Sequence, residues 1–310
     1  MPDSGRPTES AAIAAELIAV IVAVTDGQPR VLTIGDGFRL PSGPFVSGHR
    51  SLQAGMRSWV EEQTHHPVGY VEQLYTFADR DRTDAATRRI VSISYLGLTR
   101  EIRAAGNLGA SWQSWYRFFP WEDRRSPGPP MAEERLAPPL RAWADAAETE
   151  AERRDRRQRL AINFGLDGER WNEDLVLQRY ETLWEAQLVA EAGVDGGGIP
   201  GQRMLHDHRR ILATGIARLR AKIKYRPVVF ELMPPAFTLL QLQRTVEALA
   251  GSLLHKQNFR RLIDQQDLVE ETGEVTSETG GRPAKLFRFR GEVLAERAVA
   301  GSKLPVVRAV

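Results

Sequence analysis

Apolar residues between Ala12 and Ile34 fall in two runs parted by a polar break. Leu17, Ile18, Val20, Ile21, Val22 and Val24 make the first, and Val31, Leu32 and Ile34 the second, with Asp26-Gly27-Gln28-Pro29 between them. Runs rich in β-branched residues on either side of a turn signal predict two buried strands. Residues 70–77 (YVEQLYTF) and 90–98 (IVSISYLGL) predict further strands, the second apolar enough to be central. Trp112 to Trp121 (WQSWYRFFPW) reads as an aromatic-dense strand, either core or a flat wall for stacking a ligand. Residues 132–160 and 169–192 predict helices. Glu148 to Arg159 is nearly all charged, so it is a solvated surface or one between domains. Residues 193–200, rich in glycine, predict a flexible break, and Leu205 to Ile223 a helix carrying His206, Asp207 and His208.

Two segments join helical periodicity to chemistry. Ser51 can cap a helix running to Gln63, with Leu52, Met56, Trp59 and Val60 on one apolar face. Arg57 and Glu61 share another face, and Glu61 and Glu62 stand together beside Gly43 and Gly48. Such a pair can hold Mg²⁺ on a diphosphate, or it can be an ordinary surface feature of an amphipathic helix.

In the second segment, Thr238 can cap a helix from Leu239 to Leu249, with Leu239, Leu242, Val246 and Leu249 inward. Gly251-Ser252 makes a turn, and a second helix runs from Lys256 to Gln266 on a core stripe of Phe259, Leu262 and Ile263. Lys256, Gln257, Arg260 and Arg261 lie off that stripe and Asn258 near its edge. This is helix-turn-helix spacing with a basic, amide-rich outer face. Arg can bridge the O6/N7 edge of guanine, Gln and Asn can bridge adenine, and Lys and Arg neutralise phosphates. Leu268 to Glu271 and Leu286 to Phe289 predict strands around a loop holding Gly280-Gly281-Arg282-Pro283. That hairpin is a wing able to place Arg282 on the DNA backbone or in a minor groove.

Charge sharpens the division. The 310 residues carry 42 Lys+Arg and 40 Asp+Glu, a net of +2. Residues 201–310 hold 19 basic and 11 acidic side chains, a net of +8, which leaves 23 and 29, a net of −6, for residues 1–200. A basic carboxyl-terminal part is the footprint of a polyanion binder; a protein-interaction module with solvated cations is the alternative. The absence of cysteine excludes disulfides, thiolate zinc sites and cysteine nucleophiles, and fits a reducing cytoplasm. The apolar run from Leu17 to Val24 is far short of the roughly 20 residues of a membrane helix. The amino-terminal residues, with Arg6 their one cation, predict a loose tail and no secretory leader. There is no phosphate-loop motif, dinucleotide fingerprint or nucleophile elbow. Neither His65-His66 nor His206 and His208 are helix-face neighbours, so no metal site is expected. Residues 121–125 (WEDRR) read as a charged turn, structural or part of a dimer contact.

Residues 40–68 resemble the box of the Nudix superfamily: Gly, five residues, Glu, seven residues, Arg-Glu, apolar, any, Glu-Glu, any, Gly, apolar. Gly43, Arg57, Glu61 and Glu62 match it, and Trp59 fills the apolar position. His49 and Ser58 stand where acids belong, Thr64 replaces the last Gly and His65 the last apolar residue. In active members the acid after Arg shares a helix face with the Glu pair, holding a divalent metal and helping to activate water. Ser58 supplies neither charge nor base, and His49 is a poor ligand for Mg²⁺, so hydrolysis is expected to be weak or absent. With LMPPAFTLLQLQRTVEALAG, LLHKQNFRRLIDQQDLVEETGE and GGRPAKLFRF following, the chain resembles the Nudix-related transcriptional regulators of NAD metabolism over residues 12–292. The likeness is greatest to their alphaproteobacterial NAD-biosynthesis branch.

The resemblance implies fold class α+β: a Nudix-like α/β/α sandwich followed by a winged helix-turn-helix domain. The division expected is a tail (1–10), an effector-binding domain (11–200) with a helical extension (132–192), a linking helix (201–224), a DNA-binding domain (225–295) and a tail (296–310). It implies a cytoplasmic homodimer that represses NAD-biosynthesis genes from a palindromic operator, with NAD, ADP-ribose or ATP as effector and no required cofactor. Carried over by position, the DNA-binding residues are Lys256, Gln257, Asn258, Arg260, Arg261, Arg282 and Lys285. The effector-binding ones are Arg39, Gly43, Arg57, Glu61 and Glu62, with none catalytic and none for metal. His255 stands at the helix cap, where relatives tend to have an acid. The alternative is a Nudix pyrophosphatase acting on ADP-ribose-type substrates with a fused DNA-binding domain.

Overall fold

A computed structural model describes residues 13–78, 89–101, 109–193, 198–277 and 283–292. The first apolar run is β1 (Ile13–Thr25), which turns into β2 (Gln28–Thr33). Asp26 and Gly27 at the turn have φ of 52° and 68°, the left-handed backbone that suits a two-residue hairpin and that glycine adopts without strain. Then come β3 (Ser42–Pro44), α1 (Leu52–Thr64), β4 (Tyr70–Phe77), β5 (Arg89–Leu98) and β6 (Ser111–Ser114). The helices α2 (Ala137–Asp145), α3 (Glu150–Phe164), α4 (Val176–Glu185) and α5 (His208–Ile223) follow. The strands make one mixed sheet in the order β4-β5-β1-β2-β6, with β3 also on β1. β1 and β5 run parallel, Leu17 opposite Ile93 and Val20 opposite Leu96.

From Leu17 to Val24, β1 is apolar without interruption because both of its faces are covered there. Leu17, Ala19 and Ile21 meet Met56 and Val60 of α1 on one side. Ile18, Val20 and Val22 belong to the core that holds Ile211, Leu212, Ile216 and Leu219 of α5 on the other. Gly215 brings α5 close, since a Cβ there would lie 2.9 Å from Val20. The result is the three-layered sandwich expected, with α5, in the stretch read as a link, lying against the sheet.

Three segments fold differently from the sequence expectation; of residues 169–192, expected to be helical, only α4 and a 3₁₀ turn at Ala190–Ala192 are. Of Trp112–Trp121 only the first residues continue β6; Trp115–Arg117 and Pro120–Glu122 are 3₁₀ turns. Trp115, Phe118, Phe119 and Trp121 are all buried, so the run is core. A pleated strand sends alternate side chains to opposite faces, whereas a curled backbone can aim these rings into one core, and Pro120 has no N–H for a ladder. Residues 132–160 are not one helix: α2 stops at Asp145, and α3 starts afresh after Thr149, whose hydroxyl accepts from the Glu152 N–H at 3.2 Å. The charged run of α3 is a solvated face laced with pairs such as Arg153–Glu150 and Arg156–Glu152.

The carboxyl-terminal domain comprises α6 (Leu239–Ala250), α7 (Lys256–Gln266), β7 (Val269–Thr276) and β8 (Ala284–Phe289). It meets the sandwich at the end of α6. Tyr116 donates to the Ala248 carbonyl at 2.6 Å, and the Arg124 N–H to the Gly251 carbonyl at 2.7 Å. Beneath this contact lies Glu122, wholly buried with Arg179 and Arg220. Arg179 forks onto the two carboxylate oxygens at 2.6 and 2.8 Å, and Arg220 donates to the second oxygen as well. Arg220 also reaches the Leu249 carbonyl of α6 at 2.8 Å. Burial alone would raise the pKa of Glu122, but Arg179 and Arg220 outweigh it and hold the carboxyl below its ordinary range. Among the described residues no helix is long and apolar enough to cross a membrane.

Replacing Glu122 with Ala strands two buried guanidinium groups and should cost about 3–5 kcal/mol of stability, read by urea denaturation. Because the folded pKa is lowered, the contribution of Glu122 is present above its unfolded pKa and is lost as pH falls through the folded value. The difference between wild type and Glu122→Ala should therefore narrow in acid; an equal difference at pH 7 and in strong acid would contradict it.

Candidate functional site

The helix-turn-helix is set by local chemistry. Thr238 caps α6 in a capping box: its hydroxyl accepts from the Gln241 N–H at 3.1 Å, and the Gln241 side chain accepts from the Thr238 N–H at 2.7 Å. Gly251, at φ 73°, ends the helix, and a Cβ there would collide with the Glu122 carbonyl. Glu247 then stitches the turn, accepting from the Leu254 N–H at 2.9 Å and from Gln243 at 2.8 Å. These bonds fix where α7 leaves.

α7 buries Phe259 and Ile263 and exposes Lys256, Gln257, Asn258, Arg260 and Arg261. All five residues expected to read DNA on this helix therefore share its solvent side. Leu262 does not join the core stripe, being 50% exposed. It lies about 60° round the helix from Phe259 and about 100° from Ile263, outside the arc that those two bury. β7 and β8 form the wing, with Phe287 of β8 bridged to Phe237. Lys285 faces solvent and pairs across the strands with Glu271 at 2.8 Å. An exposed pair of this kind is worth about 0–1 kcal/mol, so Lys285 can exchange it for a phosphate at little cost. Arg282 lies outside the described residues.

The box helix α1 is capped as expected, Ser51 accepting from the Ala54 N–H at 3.1 Å. Gly43 sits in β3 under the Trp59 ring, which leaves no room for a Cβ. The Trp59 indole donates to the Pro44 carbonyl at 3.0 Å, and Gln63 makes two bonds to the Ser42 backbone. Arg57 is spent on main chain, donating to the carbonyls of Val68 and of Gly69, the latter at 2.9 Å. Arg39, Glu61 and Glu62 are exposed. The structure thus separates the five effector candidates: Gly43 and Arg57 are built into the framework, and the other three face solvent. His49 packs against Phe45 and Trp59, with ring centroids 5.7 and 6.1 Å away, and its Nδ1 accepts from the Val46 N–H at 3.3 Å. An imidazole held in that way, with serine at 58, does not make the oxygen-rich donor set that Mg²⁺ requires. Among the described residues no cluster of three His, Asp or Glu side chains is placed to hold a metal ion.

Residues 229–289 match the NrtR DNA-binding winged helix domain. The carboxyl-terminal domain is a winged helix similar to that of NrtR. Over 83 residues the chain is 42% identical to the ADPR responsive transcriptional repressor NtrR of Acinetobacter baylyi, a match covering 27% of this chain and 33% of that repressor. The whole fold resembles that of Shewanella oneidensis NrtR complexed with a 27mer DNA, with a TM-score of 0.54 at 21% identity over 91% of this chain and 95% of that one. It also resembles a MutT/nudix family protein from Enterococcus faecalis, with a TM-score of 0.52 at 17% identity over 91% and 89%. At these identities the structural likeness is one of fold: a Nudix-like domain followed by a winged helix. Together these findings support the resemblance to Nudix-related transcriptional regulators of NAD metabolism.

Several residues that shape the winged helix carry no signal in the local sequence pattern. Gln243 and Glu247 hold the turn, and Arg220 ties the domain to the sandwich. The exception is Arg220: Leu212, Ile216 and Arg220 fall four apart, so the arginine continues an apolar stripe of α5. His255, at the cap of α7, makes no side-chain cap bond. His255→Ser would supply a hydroxyl to the first turn and should raise stability by about 1 kcal/mol, measured as a higher denaturation midpoint; an unchanged or lower midpoint contradicts this.

Proposed function

We propose that this protein is a ligand-responsive transcriptional repressor of NAD-biosynthesis genes. A cytoplasmic homodimer binds operator DNA through its winged helices, and an adenine nucleotide bound by the Nudix-like domain alters that binding. The observation that carries this reading is the exposed side of α7, where Lys256, Gln257, Asn258, Arg260 and Arg261 stand together on a helix fixed by its turn. Arginine and amide side chains supply base-edge contacts, and lysines, Lys285 of the wing included, supply phosphate contacts. The Acinetobacter relative is named as responsive to ADP-ribose, which favours that effector over NAD or ATP. In this reading Arg39, Glu61 and Glu62 face the effector, while Gly43 and Arg57 shape its cleft.

The protein senses its nucleotide and hydrolyses it weakly or not at all, because Ser58 and the packed His49 stand where two acids of the box belong and leave only Glu61 and Glu62. Two half-sites must match the spacing of two recognition helices, so a modest rotation of one winged helix weakens the complex. The effector acts by binding one arrangement better than the other.

A mobility-shift assay on DNA from upstream of NAD-biosynthesis genes tests the proposal. The wild-type chain should shift that DNA with a steep salt dependence, and ADP-ribose should change the affinity. Arg260→Ala and Arg261→Ala, with the fold intact, should each cost about 1–3 kcal/mol of operator binding. Failure to shift any such region, together with turnover of ADP-ribose in Mg²⁺ at ordinary enzyme rates, would favour the pyrophosphatase reading instead.

A further inference from the structure

A cleft of about 920 Å³ opens between the sandwich and the winged helix, away from the box helix. Its walls come from three parts of the chain: Tyr70 at the start of β4 and Arg100 just past the end of β5, Tyr225 and Arg226 after α5, and Phe230 and Phe289 of the winged helix. Phe230 and Phe289 stack with centroids 4.3 Å apart and 20° between their planes. Tyr225 adds a third ring, 60% exposed.

The cations of this cleft are of two kinds. Some are matched: Lys222 donates to the Tyr70 hydroxyl at 2.6 Å and to Glu72, Arg218 lies 3.6 Å from Glu72, and Arg288 lies 2.6 Å from Glu270. Arg100 and Arg226 are exposed, and neither forms an ion pair among the described residues. The only acid among the described lining residues is Glu231. Lys222, in the last turn of α5, also offsets the negative carbonyl end of that helix, which would otherwise repel an anion.

Stacking rings beside unspent guanidinium groups are the complement of a nucleotide. A planar base slots against the rings, and phosphate oxygens take the guanidinium fork. The volume falls within the range of about 300–1,000 Å³ common for small-molecule sites, which concentrate where domains meet. We propose that this junction cleft is a second ligand site, one for a nucleoside polyphosphate, with Arg100 and Arg226 on the phosphates and Tyr225 and the Phe230–Phe289 pair on the base. It is separate from the effector position at the box helix and does not depend on it. Residues two apart on a helix face away from each other, so Lys222 and Arg218 line the cleft while Arg220 between them points to Glu122. An occupant braces the winged helix from the side of α5 that the ion pair leaves open.

Isothermal titration of the full chain with ATP, ADP-ribose and inorganic pyrophosphate tests the site. ATP should bind saturably, and Arg100→Ala and Arg226→Ala should each weaken it at least about tenfold with an unchanged unliganded unfolding midpoint. Tyr225→Ala should weaken ATP and leave pyrophosphate as in the wild type. If Arg100→Ala does not fold, Arg226→Ala and Arg226→Lys carry the test, with the lysine variant expected between alanine and wild type. No saturable binding of any probe overturns the proposal, as does wild-type affinity in both arginine variants. Nucleotide binding lost in Arg39→Ala but kept in Arg100→Ala and Arg226→Ala would overturn the junction site and leave the effector reading standing.

Discussion

One buried carboxylate fixes the relation between the two halves of this chain. Glu122 comes from the aromatic turn of the sandwich, Arg179 from α4 and Arg220 from α5, and Arg220 carries the connection on to the last carbonyls of α6. Apolar contact alone would hold the winged helix on but leave its angle weakly specified. Glu122 and Arg179 hold the Arg220 guanidinium in place, and its bond to the Leu249 carbonyl, with those of Tyr116 to Ala248 and Arg124 to Gly251, defines that angle, because tilting the domain breaks these directional bonds. Glycine at 251 is part of the same constraint: the end of α6 passes so close to the Glu122 carbonyl that a side chain would not fit.

From that fixed point the two candidate surfaces are positioned by ordinary means. Capping by Thr238 and the stitch through Glu247 set α7, and its narrow apolar stripe leaves most of its circumference to polar side chains. The box helix follows the opposite principle. Trp59, Gln63 and Arg57 lock it to β3 and to the loop before β4, and His49 joins an aromatic cluster. The helix is thereby fixed to the framework, with Glu61 and Glu62 left on its exposed side.

Much of this was legible in the sequence where local rules govern. Ser51 and Thr238 act as the caps their positions announce, and Asp26-Gly27 turns the hairpin. The double-sided burial of β1 is written in its unbroken apolar run. Long-range packing decided the rest. The aromatic run at 112–121 has strand composition, yet its rings converge on one core and curl the backbone. Leu262 has the spacing of a core residue, but it falls outside the arc that Phe259 and Ile263 bury and is half exposed. Glu122 could be placed in a charged turn but not paired, since its partners lie 57 and 98 residues away.

The central claim is that the ion pair makes sandwich and winged helix one cooperative unit. Hydrogen exchange of the Arg124 amide reports on it most directly, because that N–H donates across the junction to Gly251. The account predicts exchange as slow as that of the amides at the centre of β1, through global unfolding alone. Fast exchange at Arg124 while β1 stays protected would show the winged helix parting from the sandwich on its own, and would contradict the account.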